Sequence, residues 1–477
     1  MPKYYLQNRW KIEEKYLVYY GIRSLPFTTK NRIKVNNALL CSFKEESGIL
    51  TISTANHSKL ISNLLDQKIL VPKEGYKRTP VSLEEATICK KCVANDFIIP
   101  GLEFNDDGLC PMCQGKEQNK KLKATLPIKM DFKRNDKSRF DVAIFYTGGK
   151  DSTYLLYYFA NVLKLRVLAL TWEIPFMSDN ARKSIENAKR LMPNVEFVNR
   201  FIAPEQLNLL YKKLLFLQNN VCACPTLAYL LFFPTLATEK INYLILGNEP
   251  VQMTALYYNN MAPKIAYNFS KNPFLLSMIN VGRVLTLKKP VKSGQFALTM
   301  MIRQLLFGQN ILMKLSNYQN QLMTNICTAM DEIPNLKNSL KSIYRYSNRR
   351  AKMPSLVHFD LNSAFEDGVY DWKKTIDTIT EKTGWVAPSI ENKALHTSCC
   401  VEVAKDHSQF IRFYNMETKV IPFSAIEIAL ASSTGALSRQ LALDELKNSL
   451  GFTLIQPDEH KLMHLCNGCR ISLEDIN

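Results

Sequence analysis

A glycine pair followed by a lysine stands where an apolar run gives way to an amphipathic one, and this junction limits the fold most. Phe140 to Tyr146 is mostly apolar, and Tyr146-Thr147-Gly148-Gly149-Lys150-Asp151-Ser152-Thr153 follows it. Ser152 to Leu165 then carries Leu155, Leu156, Phe159 and Leu163 on one helical face. The alternation continues. Arg166 to Trp172 reads as a second strand, Ser178 as the N-cap of a helix running to Met192, and Val195 to Ile202 as a third strand. Pro225 to Lys240 reads as a helix, and Tyr243 to Leu246 as a fourth strand ending at Gly247. Strands and helices in this order predict an α/β fold with a doubly wound parallel sheet. Ligands of such sheets bind beyond the carboxyl ends of the strands.

The junction has the chemistry of an anion site. Two glycines let the backbone turn tightly and approach a ligand closely. The N–H groups and dipole at the start of the following helix favour negative charge. Lys150 adds a cation, expected to face solvent until an anion arrives. Asp151 is out of place beside an anion unless Mg2+ lies between carboxylate and phosphates. A Walker loop is excluded, because Lys150 is followed by Asp151 and not by Ser or Thr. The loop resembles the Ser-Gly-Gly-Lys-Asp-Ser loop of the PP-loop ATP pyrophosphatases, the adenine nucleotide α-hydrolases of HUP type, with Tyr146-Thr147 in place of the usual first residues. The resemblance implies ATP and Mg2+ as ligands, with Tyr146, Thr147, Gly148, Gly149, Lys150, Asp151, Ser152 and Thr153 around the phosphates. It gives Lys150 and Asp151 catalytic roles, and the substrate oxygen attacks the α-phosphate while pyrophosphate leaves. By position it also implies an adenine contact at Thr171 and a nucleotide loop at Gly247-Asn248-Glu249.

The chain has twelve cysteines, eight of them in close pairs. Cys89-x-x-Cys92 and Cys110-x-x-Cys113 are separated by seventeen residues, the spacing of a closed four-thiolate zinc site with a folding role; an iron–sulfur cluster is the alternative. Cys92-Val93, Pro100-Gly101-Leu102-Glu103-Phe104 and Gly108-Leu109-Cys110 resemble the opening of the N-acetyl sugar amidotransferases. Gly384-Trp385, His396-Thr397-Ser398-Cys399 and Gly435 to Leu443 resemble that group further on. These PP-loop enzymes turn an acetamido sugar into an acetamidino sugar in surface-polysaccharide pathways. Residues 1–85 and the terminal Cys466-Asn467-Gly468-Cys469 lie outside the resemblance.

Cys222-Ala223-Cys224-Pro225 precedes a predicted helix, where PP-loop sulfur-transfer enzymes often carry a cysteine pair. A thiolate at a helix start is expected to have a lowered pKa, so Cys222 and Cys224 read either as catalytic or cluster-binding thiols or as a structural pair. His396, Cys399, Cys400, His460, His464, Cys466 and Cys469 are candidates for a second metal site. Cys41 and Cys327 read as core residues. The formal net charge of +18 favours anionic partners such as nucleotides, RNA, nucleotide sugars or acidic lipid surfaces, although free use of Lys would produce the same charge. Met1-Pro2-Lys3 opens no signal peptide. No apolar run reaches the ~18 residues of a membrane span, Pro225 to Ala237 reading as a buried helix, so a cytoplasmic protein is expected.

The divisions expected are a small α+β module over 1–85, able to grip a partner or peptide; a zinc knuckle over 86–115; a basic linker over 116–139 with nine Lys/Arg against three Asp/Glu; an ATP-binding domain over 140–265; and a helical to mixed region over 266–477. Three activities follow from the resemblances. Ammonia from a separate glutaminase subunit attacks an adenylated sugar or small-molecule amide; a partner is expected because the sequence starts Met1-Pro2 and not with a cysteine nucleophile. Alternatively, sulfur reaches tRNA or a small molecule through Cys222/Cys224. In the third reading a peptide is modified, held through its leader by residues 1–85. A zinc-dependent RNA-binding protein with a relic loop is the non-enzymatic alternative.

Overall fold

The computed structural model describes residues 2–23, 32–53, 59–114, 132, 138–218, 221–224, 226–246, 249, 251–252, 254–255, 273–292, 294–308, 321–388, 399 and 401–454. Two compact units divide the chain: Met1–Glu117 with Gln409–Ser433 and Ser438–Leu446, and Gln118–Ser408 with Thr434–Leu437 and Lys447–Asn477.

Among the described residues the first unit contains seven short strands: β1 (Lys3–Leu6), β2 (Trp10–Glu13), β3 (Tyr16–Tyr19), β4 (Arg32–Lys34), β5 (Lys44–Glu46), β6 (Ile49–Ser53) and β7 (Leu70–Val71). They form two antiparallel sheets, in the orders β5-β6-β1-β7 and β2-β3-β4. The helix Lys59–Asp66 turns Ile61 and Leu64 into a core shared with Leu6, Trp10, Leu17 and Ile52, as its helical apolar spacing requires. Arg9 is almost fully buried. Its guanidinium donates to the carbonyls of Tyr20, Phe413 and Tyr414 and lies 4.3 Å from the centre of the Phe413 ring. Burial lowers its pKa to about 10, so it stays charged at neutral pH. Cys41, expected in the core, is exposed. It sits on the two-turn helix Asn37–Ser42, whose only buried residue is Leu39.

The second unit is built on five parallel strands: β8 (Val142–Phe145), β9 (Val167–Trp172), β10 (Val195–Arg200), β11 (Tyr243–Leu246) and β12 (Ser355–His358), ordered β10-β9-β8-β11-β12. The chain winds outward from β8 in one direction and, after β10, returns to the other side at β11. The crevice between β8 and β11 is therefore the switch point of a doubly wound sheet. Every residue of β8 and β9 is buried, as expected of strands covered on both faces. The helix Asp179–Leu191 starts at Ser178, whose hydroxyl accepts from the Ala181 N–H. The run from Pro225 becomes the helix Thr226–Thr238, largely buried despite Pro234.

Neither the helix after β10 nor the last strand of this sheet was read from the sequence. The helix Pro204–Gln218 follows β10. β12 lies behind a long helical region, and its four residues pair in register with the whole of β11, from Tyr243–Ser355 to Leu246–His358. Among the described residues no helix is long and apolar enough to cross a membrane.

Burial lowers the pKa of His358, at the end of β12, to about 4 from an ordinary 6.5. The unfolded chain then binds a proton between those values that the folded chain does not. His358 in its neutral form contributes stability that is complete above about pH 6.5 and is lost as the pH falls toward about 4. Urea midpoints at pH 7 and pH 5 should therefore differ more for the natural chain than for His358→Gln; equal differences would show that His358 is not the titrating group.

Candidate functional site

Beyond β8 the backbone turns at Gly148, where φ is +74°. A Cβ there would lie 2.5 Å from the carbonyl oxygen of Ala181, so only glycine fits. Gly149 caps the helix Lys150–Tyr157 with extended backbone, leaving the first N–H groups of that helix facing the loop. The loop is fixed from several sides. Trp385 Nε1 donates to the Gly148 carbonyl at 3.0 Å, Thr171 Oγ1 to the Tyr146 carbonyl at 2.9 Å, and the Thr153 hydroxyl to the Gly149 carbonyl at 2.8 Å. Thr147 Oγ1 and Ser152 Oγ lie 3.3 Å apart. Tyr146 is buried, with its hydroxyl donated to the Ser184 carbonyl.

Lys150 does not face solvent as expected; 13% of its side chain is exposed. Its Nζ lies 2.6 Å from Asp151 Oδ1, 3.5 Å from Glu249 Oε2 and 3.0 Å from the Tyr370 hydroxyl, and over the rings of Tyr370 and Trp372 at 4.8 and 4.6 Å. Tyr370 also donates to Asp151 Oδ1 at 2.5 Å, Trp372 Nε1 to Glu249 Oε2 at 2.8 Å, and Gln252 Nε2 lies 3.4 Å from Asp151 Oδ2. Burial, with Asp151 and Glu249 close by, raises the Tyr370 phenol well above its ordinary pKa and keeps it a donor. Two carboxylates and one ammonium sum to a single negative charge beside an anion-shaped loop. A divalent cation resolves that conflict, and Asp151 has the oxygen chemistry to hold one. Lys150, Glu249 and Tyr370 come together at the crevice between β8 and β11.

Tyr370, Trp372 and Trp385 were not identified as site residues from the sequence. The only local signals were the aromatic Tyr370-Asp371-Trp372 segment and the glycine at Gly384, which has φ +66° and caps the helix Trp372–Thr383. Thr171, read from the sequence as an adenine contact, is buried near the carboxyl end of β9, with its hydroxyl donated to the Tyr146 carbonyl. Gly247 lies outside the described residues, as do His396, Cys400, His460, His464, Cys466 and Cys469.

A second group of side chains gathers around Cys222 and Cys224. Cys399 pairs with Met177, just past the carboxyl end of β9, and its electrostatic neighbours are Cys224, Glu402 and Cys222. Lys405 Nζ lies 3.2 Å from Glu402 Oε2. Burial acts to lower the Lys405 pKa, but Glu402 and Cys222 outweigh it, so Lys405 stays an ammonium. The thiols of Cys222 and Cys224 are pushed up, against the expected lowering. Burial is the largest cause, Glu402 adds to it, and Lys405 opposes it. Cys327 is half-buried, its thiol raised to about 11 by burial.

In the first unit Cys89, Cys92, Cys110 and Cys113 are buried, and all four sulfurs lie within 4.8 Å of one another. Cys92 Sγ and Cys110 Sγ are 3.6 Å apart, too far for a disulfide. Sulfurs at ~2.3 Å from one tetrahedral ion stand about 3.8 Å apart, so the group fits a metal. The knuckles are made by the backbone: Cys89 N–H donates to the Ala94 carbonyl, Cys110 N–H to Cys89 Sγ and Ala94 N–H to Cys92 Sγ. Buried Asn95 closes the first turn by accepting from the N–H groups of Phe97 and Ile98.

No family model and no curated protein matches the sequence. Among solved structures, the U34-tRNA thiolase NcsA from Methanococcus maripaludis with its 4Fe-4S cluster is similar, at 15% identity over 55% of this chain and 87% of that one, with a TM-score of 0.21. At so low a TM-score the likeness bears on neither architecture nor chemistry.

The purified protein should carry one metal equivalent on the four cysteines. Cys110→Ser should lose it and fold poorly, measured by elemental mass spectrometry and circular dichroism. Full retention of metal and fold in that variant would remove the assignment.

Proposed function

We propose that the protein is a PP-loop enzyme that adenylates a carbonyl or amide oxygen with ATP, releasing pyrophosphate, and passes the activated group to ammonia. The observation that supports it is the cradle at the switch point: a glycine turn, a helix start, and Lys150 held between Asp151 and Glu249. Gly148, Gly149 and the N–H groups of the first helical turn bind the phosphates. Lys150 neutralises charge that grows on the leaving pyrophosphate, the kind of stabilisation that acts most strongly in a water-poor site. Tyr370 and Trp372 hold the ammonium in place, and Trp385 keeps the Gly148 turn closed. Mg2+ held by Asp151 would supply the positive charge that makes the phosphates tolerable beside two carboxylates. The acceptor oxygen bonds to the α-phosphorus as the bond to pyrophosphate breaks. Ammonia then adds to the activated carbon, and AMP leaves with the original oxygen.

An N-acetyl sugar is the acceptor class we favour, because the segments from Cys89 to Cys113, Gly384-Trp385 and Gly435 to Leu443 resemble enzymes acting on such sugars. A separate glutaminase is then the ammonia source. The four-cysteine site is a structural zinc site in this reading: four thiolates on one ion stand close together, whereas a four-iron cluster ties each to a different iron. A specific observation supports sulfur transfer as the second reading. Cys399 joins Cys222 and Cys224, and Lys405 opposes the rise that burial gives the last two; in this reading a persulfide on one thiol gives its outer sulfur to the adenylated carbon as AMP leaves, a second thiol closing a disulfide on the sulfur left behind, or a cluster is the sulfur source.

With an acetamido sugar, ATP and ammonium, the products should be AMP and pyrophosphate; ADP and orthophosphate would mean that the loop has been misread. Lys150→Gln should lower the rate by about 10²–10³, the range for loss of one preorganised charge-stabilising group, while nucleotide still binds. The pair Cys222→Ala/Cys224→Ala should keep its fold and its ammonia-dependent turnover. Abolished turnover in a folded double variant that still binds ATP would favour sulfur chemistry.

A further inference from the structure

The helix Pro273–Leu285 of the second unit is inside out. Its one buried residue is Arg283, which donates to the Lys289 carbonyl at 2.8 Å and to Asn348 Oδ1 at 2.8 Å. Asn280, on the same side, exchanges hydrogen bonds with both the N–H and the carbonyl of Val291. The polar side chains thus tie the helix down, while Phe274, Met278, Val281 and Leu285 form an i, i+4, i+7, i+11 stripe that is 58–79% exposed and is extended by Leu287. An aligned apolar stripe of this kind is not an ordinary feature of a soluble surface.

Charge indicates what covers it. From 251 to 359 the sequence has fourteen Lys or Arg and two acidic residues, Asp331 and Glu332. Between Asn272 and Leu287 the only charge is the inward-facing Arg283. Lys288, Lys289 and Lys292 follow directly, and the Lys289 N–H donates to the carbonyl of Arg349, in an Arg349-Arg350 pair that ends the helix Pro334–Arg350. An uncharged apolar face bordered by lysines and arginines matches a bilayer interface, with acyl chains below and anionic headgroups around. A second copy of the chain would bring like charges together around the stripe, and RNA has no use for an aliphatic face. We infer that the Pro273–Leu285 helix docks the protein on an anionic membrane surface, lying in the interface. Its thirteen residues span about 20 Å, too short to cross the hydrocarbon core. The inference does not depend on the reaction catalysed.

The full chain should float with vesicles of phosphatidylglycerol and phosphatidylcholine, and at least tenfold less with phosphatidylcholine alone. Met278→Glu/Leu285→Glu should abolish flotation without shifting the thermal midpoint, since both side chains are exposed. Phe274→Trp gives a second readout that leaves the stripe apolar: the emission of the introduced indole should shift to the blue on anionic vesicles and be quenched by brominated lipid. No flotation of the natural chain, or undiminished flotation of the double variant, would overturn the inference. So would unquenched indole emission from the Phe274→Trp variant, or a concentration-dependent dimer in sedimentation that the double variant removes.

Discussion

The ammonium of Lys150 is where distant stretches of the second unit meet. Asp151 comes from the same helix start, Glu249 from beyond β11, and Tyr370 and Trp372 from more than two hundred residues further on. A largely buried ammonium with two carboxylates is a poor device for stability, because desolvation of the charges offsets most of their attraction. Such clusters are expected where a charge must be held ready for a ligand. The crevice between β8 and β11 is open to that ligand because the chain reverses direction there. The glycine turn is kept tight because Ala181 leaves no room for a side chain at 148.

The alternation of apolar strands with amphipathic helices made four strands of the parallel sheet legible, together with the Ser178 cap, because each signal is local. β12 was not legible. Ser355–His358 is only four residues long, and its identity as a strand comes from pairing with β11, more than a hundred residues away. The same holds for the site. The loop and the four-cysteine spacing could be read from short windows. Tyr370, Trp372 and Cys399 acquire their places only through long-range packing. The helix Pro273–Leu285 reverses the usual rule: its apolar spacing reads as a buried face, yet the structure buries its arginine.

The two cysteine groups differ in physical character. Four sulfurs within 4.8 Å, two of them accepting backbone hydrogen bonds, form a closed site with no position for a substrate. The thiols of Cys222, Cys224 and Cys399 are raised by burial, with Glu402 adding to the rise at all three and Lys405 opposing it at the first two. Thiols of the second group would take part in chemistry only once deprotonated, which their burial opposes.

A turn at Gly148 and Gly149 built to bind a diphosphate is most simply probed with pyrophosphate itself. In calorimetric titrations with Mg2+ present, the natural chain should bind pyrophosphate. Gly148→Ala should lose binding while its circular dichroism is unchanged, because the added methyl group pushes the turn off Ala181. Equal binding by both proteins would contradict the account and place the anion elsewhere.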